Sequence, residues 1–171
     1  MTAIGPYTQS LNMTHMFSFV DYRGPSEIVT CSSGNSIMDY IDKHPKLTKF
    51  KKIIKAANFT TQLSQKQANF TLFAPLDEHI GNVDNIGDGL ARQILSMSLM
   101  DKEIDGNLLR SSPVSYIATK NSQNRMYITN ICGVTELNQL AQVVQYDIKT
   151  DNGIIHLTNG LLFPTNNTFI N

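Results

Sequence analysis

Hydrophobic and polar positions alternate most clearly at residues 70–74, where Phe70, Leu72 and Ala74 interleave with Thr71 and Phe73. A period of two over such a run predicts a short strand. Pro75 has no N–H to give to a ladder and stops it. Asp77 then stands at the N-cap of a helix, with Glu78 where the helix dipole favours a carboxylate. A strand therefore enters a helix through a proline corner, and nothing in that corner is chemically reactive.

Upstream the period changes to that of helices. Ser36 and Asp39 approximate a capping box, opening a short helix that carries Ile37, Met38, Tyr40 and Ile41. Pro45 ends or restarts it. Leu47, Phe50, Ile54 and Ala57 then recur on one helical stripe, with Ile53 beside it and Leu63 closing the segment. Lys43, Lys46, Lys49, Lys51, Lys52 and Lys55 surround the stripe and read as a solvated helix surface rather than a phosphate-binding face.

Downstream of the corner, Gly81, Gly87 and Gly89 break the pattern into loop. Asp88 is expected to N-cap a helix carrying Leu90, Ile94, Leu95, Met97 and Leu99. From residue 114 the chain reads as strands over 114–118, 125–131, 142–148 and 154–157. Asp151-Asn152-Gly153 is the strongest hairpin signal, predicting a tight turn with positive φ at Gly153. Asn159-Gly160 marks a second turn before Leu161-Leu162-Phe163-Pro164. The inward positions predict one core containing Phe70, Leu72, Ile94, Ile148, Ile155 and Leu161.

The ends carry no sustained period. Residues 1–35 read as an extended N-terminal arm with one strand-like run, Phe17, Phe19, Val20 and Tyr22. That run is too apolar for water and too short to make a sheet alone. It is expected to join a partner's sheet edge or groove, the alternative being that it folds back onto its own domain. Residues 165–171 form a polar C-terminal tail.

The 171 residues suffice for one domain with a real core. Lys plus Arg equals Asp plus Glu at 14 each, which removes the overall field that nucleic-acid binders carry. No apolar run is long enough to span a bilayer, and the first residues lack the pattern of a signal peptide, so Met1 reads as a native start. Cys31 and Cys132 form no metal-binding spacing; whether they pair is open, with two independent thiols the expectation. Asp84, Asn85 and Asp88 suggest a calcium loop, but the twelfth position from Asp84 holds Leu95 instead of glutamate. No metal or cofactor is expected.

Together these pieces resemble the fasciclin-like (fasciclin I) domain. Phe70-Thr-Leu-Phe73-Ala74-Pro75 with Asp77-Glu78 looks like its first signature. Val144-Gln-Tyr-Asp147-Ile148, Asn152-Gly153-Ile-Ile-His156 and Gly160-Leu-Leu-Phe-Pro164 look like its second. The resemblance covers 36–164 and implies an α+β wedge of twisted strands packed against short helices. It also implies an adhesion or matrix-assembly module that is not an enzyme. Where the family often carries a Tyr-His pair tied to integrin adhesion, this chain has Met97-Ser98, so no integrin motif is recognised.

Asp147 and His156 are the one pair that invites a catalytic reading, but no serine or cysteine stands as a nucleophile between them. The resemblance implies a structural histidine. The expected function is therefore non-enzymatic: a protein-interaction module in a larger assembly, such as a minor capsid protein of a large virus or a surface or matrix adhesion protein. Sequons at Asn12, Asn58, Asn69 and Asn166 suit a surface role, although Asn69 is expected in the core strand. The alternative is a module binding a small sugar or lipid; the absence of tryptophan and of clustered aromatics argues against a sugar platform.

Overall fold

Ser36 opens the first helix as its spacing requires. Its hydroxyl accepts from the Asp39 amide while the Asp39 carboxylate accepts from the Ser36 amide, which starts α1 at Ile37–Lys43. The computed structural model describes residues 35–120 and 124–164. The arm residues Phe17, Phe19, Val20 and Tyr22, together with Cys31 and the tail, lie outside the described residues.

After α1 come α2 (Thr48–Ala56) and α3 (Thr60–Leu63). The α2 stripe is buried as its period predicts: Leu47, Phe50, Ile53, Ile54 and Ala57 face the core. Of the lysines around it, Lys43, Lys46, Lys52 and Lys55 are exposed and Lys49 and Lys51 are half-buried. Lys52 reaches Asp84 and Lys51 reaches Asp42, each at 2.5 Å, and Lys49 donates to the carbonyls of Asp77 and Ile80.

Strand β1 (Phe70–Pro75) is followed by a single 3-10 turn at Asp77–His79, then α4 (Asp88–Ser98) and the two-residue β2 (Leu99–Met100). Next are α5 (Gly106–Arg110), β3 (Val114–Ala118), β4 (Arg125–Ile131), β5 (Val134–Leu137), β6 (Ala141–Thr150) and β7 (Gly153–Thr158). The seven strands form one mixed sheet in the order β2-β1-β7-β6-β5-β4-β3. β1 and β7 are parallel neighbours; the other pairs are antiparallel. This α+β arrangement agrees with the class expected from the sequence.

The central strands have cores on both sides. Phe70, Leu72, Ala74, Ile155 and Leu157 pack with the helical residues of α1–α4, and Ile94 and Ile148 belong to the same cluster, with Leu161 half-buried against it. Phe73 turns to the other side, where Met97, Met100, Ile104, Leu109, Met126, Ile128, Leu137 and Leu162 gather. Every residue of β1 is therefore buried. The period-two pattern marked two cores, not one core and solvent, as parallel neighbours require.

Several boundaries differ from the sequence expectation. Asp77 caps no helix of its own: Leu76 precedes the 3-10 turn, and the Asp77 carboxylate turns to α2. Gly87, not Asp88, is the N-cap of α4, and Asp88 sits inside the first turn. Leu90 is exposed and Leu99 has left the helix for β2. The hairpin loop is Asp151-Asn152, with Thr150 paired to Gly153, so Gly153 begins β7. Its φ of 153° is positive, and a Cβ there would overlap the Phe70 backbone. Asn69 is exposed and lies one residue before β1, so that sequon is outside the strand.

Candidate functional site

The polar side chains of the signature stretches come together at three places, and at each they bond to backbone. Asn152 is fully buried in the β6–β7 turn. Its Oδ1 accepts from the Ile37 amide at 2.8 Å. Its Nδ2 donates to the carbonyls of Leu63 at 2.8 Å and Gln65 at 2.9 Å. One amide thus joins the start of α1, the end of α3 and the central hairpin. These groups would otherwise be orphaned helix-end donors and acceptors.

His156 and Asp147 are brought together, but not as a base and its orienting carboxylate. The imidazole is fully buried. Its Nε2 lies 2.8 Å from the Ile104 carbonyl and donates to it, and its Nδ1 accepts from the Asp147 backbone N–H at 3.3 Å. Both ring nitrogens are committed and the ring is neutral. Burial holds its pKa below the usual 6.5, against the opposing effect of the Ile104 carbonyl. Phe73 stacks on the ring at 5.4 Å, and Tyr146 meets it edge-on at 6.0 Å.

Asp147 owes its orientation to a bulge. The β6–β7 register shifts between Gln145 and Ile148, and Asp147 takes a φ of 61°. That conformation is uncommon for a non-glycine residue. It aims the carboxylate at α5, where Oδ1 accepts from the Gly106 amide at 2.7 Å. A Cβ on Gly106 would lie 2.7 Å from Asp147 Oδ2, so glycine leaves the room this carboxylate fills.

Asp77 serves α2 across 28 residues of chain. It accepts from the Thr48 and Lys49 amides at 2.9 and 2.8 Å and from the Thr48 hydroxyl at 2.6 Å. Burial alone would raise its pKa; the bonds from Thr48 and Lys49 outweigh that and hold it below 3.8. Leu47 supplies no side-chain cap to α2, so Asp77 takes the N-cap's role from outside the helix. Ala74 and Pro75 end β1 beside Leu157 and Thr158, and Pro164 closes the described chain, half-buried. Met97 is packed in the second core and Ser98 donates to the Ile94 carbonyl, both inside the fold.

The residues that sequence reasoning passed over lie on the outer face of β3–β5. Val114, Tyr116, Ile131 and Val134 are all exposed, and the Tyr116 ring sits 5.0 Å from that of Tyr127 on the neighbouring strand. These outward positions of β3, β4 and β5 are apolar. Cys132, at the tip of the β4–β5 turn, is an exposed free thiol. Among the described residues, no group of three or more His, Cys, Asp or Glu side chains is placed to hold a metal. Nor, among them, is any helix long and apolar enough to cross a membrane.

A mixed sheet with cores on both faces, clipped together by buried Asn152 and His156 and by the more exposed carboxylates of Asp77 and Asp147, defines a small α+β scaffold domain. The Fasciclin domain model matches residues 45–164, and the chain belongs to this family. Fasciclin domains are commonly adhesion or protein-interaction modules and are generally non-enzymatic. A FAS1 domain pair from the insect cell adhesion molecule Fasciclin I has the same fold, with a TM-score of 0.63 at 20% identity. The alignment covers 77% of this chain and 51% of that one, so the chain spans about half the length of that domain pair. No curated protein matches the sequence.

Proposed function

We propose that this chain is a non-enzymatic protein-interaction module, a structural component of a larger assembly such as an adhesion layer at a surface or the shell of a large virus. One observation carries the reading. The side chains that could do chemistry, His156, Asp147, Asp77 and Asn152, bond to the backbone of their own fold, while the outer sheet face carries exposed Val114, Tyr116, Ile131 and Val134. A surface of that kind recognises other protein surfaces. The fold neighbour's role in insect cell adhesion is in keeping with this, and Asn58 and Asn69 are exposed where a surface protein would carry glycans.

In this reading Phe17, Phe19, Val20 and Tyr22 of the N-terminal arm engage another protein of the assembly, the apolar run supplying alternate side chains to a sheet edge or groove. The test substitutes Phe17→Ser and Tyr22→Ser together in the full chain. The unfolding midpoint should stay unchanged while incorporation into the assembly is lost. Incorporation equal to that of the unsubstituted protein would remove the arm from the account.

A further inference from the structure

The two ends of the sheet meet at one bond: β2 is two residues long, and its Leu99 carbonyl accepts at 2.8 Å from the amide of Lys120, two residues beyond β3, so the β3 edge is open only as far as Ala118. β3 is five residues long, Val-Ser-Tyr-Ile-Ala, without a charge, and among the described residues no strand pairs with its outer edge. Sheet edges of soluble proteins are ordinarily blunted by lysine, proline or a bulge, because unpaired amides template another strand.

The ladder to β4 fixes which amides are free. Tyr116 lies opposite Tyr127, and the bonds Asn130 N–H to Pro113 C=O and Thr119 N–H to Asn124 C=O show that odd-numbered residues of β3 bond to β4. In an antiparallel pair the intervening residues then turn their N–H and C=O away. Val114, Tyr116 and Ala118 therefore present backbone groups to the open edge, and all three have exposed side chains.

We infer that this edge pairs with the β3 edge of a second copy of the chain, antiparallel about a two-fold axis at Tyr116. This rests on the interaction-module reading and names one partner for it. With Tyr116 opposite its counterpart, Val114 falls opposite Ala118, and these are the pairs whose amides are free, with Ser115 facing Ile117 as the non-bonded pair between them. A two-fold axis sets like residues together and would penalise charge there; β3 has none, and the chain's formal net charge is zero. The Tyr116–Tyr127 ring pair continues across the join into a row of four tyrosines. Cross-strand aromatic pairs of this kind stabilise sheets.

The test is the sedimentation mass of the full chain, read with residue-resolved amide hydrogen exchange. A single short edge lies among the weak interfaces, so the mass should rise from 19.1 kDa toward twice that value over roughly 10 μM to 1 mM. Amides of Val114, Tyr116 and Ala118 should become protected over the same range. Ala118→Pro removes one outward N–H while leaving the bonds to β4, as edge prolines do, and Tyr116→Lys sets like charges at the axis. Each should keep the unfolding midpoint and lower association at least tenfold. A mass that stays at 19.1 kDa, or association unchanged in both folded variants, overturns the pairing. So does a monomer whose β3 amides are already protected, because another strand then covers the edge. A monomer that still enters its assembly would overturn the pairing and leave the interaction-module reading standing.

Discussion

At the scale of single residues, the chemistry of this domain is spent on holding backbone. His156 is neutral because it is buried and because each ring nitrogen has a backbone partner. Its folded pKa lies below 6.5, so as the pH falls through 6.5 the unfolded chain takes up a proton that the folded one refuses. Stability from this source is full above pH 6.5 and declines until the folded pKa is reached. Asp147 and Asp105, which favour the proton, and Arg110, which opposes it, face the ring. Asp39, held low by the Ser36 hydroxyl and amide, and Asp77 lose their contributions only as the pH falls below about 3.8. Denaturant unfolding of His156→Gln should therefore show a flatter pH dependence just below 6.5 than the unsubstituted protein. Equal slopes would mean that the ring titrates freely.

At the scale of elements, the exchange between Asp77 and α2 ties the proline corner to the helical layer. Asp77→Ala should cost about 1–2 kcal/mol, the usual value of a lost N-cap, seen as a lower denaturant midpoint with unchanged slope. Leu72→Ala, at the fully buried centre of β1, should cost about 2–5 kcal/mol by leaving a cavity; an unchanged midpoint would contradict its burial. What the sequence showed and hid at this scale has physical causes. Strands β3 and β4 and the capping box of α1 were legible because alternation and Ser–Asp spacing are local. β5 was not, since Val134-Thr-Glu-Leu137 is too short for alternation to stand out. α5 opens on glycine and shows no stripe; the Asp105 side chain, which accepts from the Leu108 amide, was its one signal. The bonds of Asp77 to α2 and of Asn152 to Ile37, Leu63 and Gln65 span 28 to 115 residues, beyond the reach of any local pattern.

At the scale of the whole molecule, a seven-stranded mixed sheet carries a core on each face, and the exposed apolar residues of β3–β5 lie outside both cores. The signatures of both halves meet at β1 and β7, so the residues that identify the family are those that build the scaffold. Surface function is free to vary around them, which is why the family was legible in this sequence and the outer face of β3–β5 was not. The central claim is this division of labour, and unfolding midpoints measured on matched variants test it most directly. Asn152→Ala strips partners from the buried Ile37 amide and Leu63 carbonyl and from the part-buried Gln65 carbonyl, and His156→Gln disturbs the buried Ile104 carbonyl and the part-buried Asp147 amide, so each should lower the thermal midpoint by on the order of 10 °C. Tyr116→Lys and Ile131→Lys, on the exposed face, should stay within about 2 °C of the unsubstituted protein, as surface changes do. Midpoints unmoved by Asn152→Ala and His156→Gln would contradict the account, because those side chains would then be free for another role.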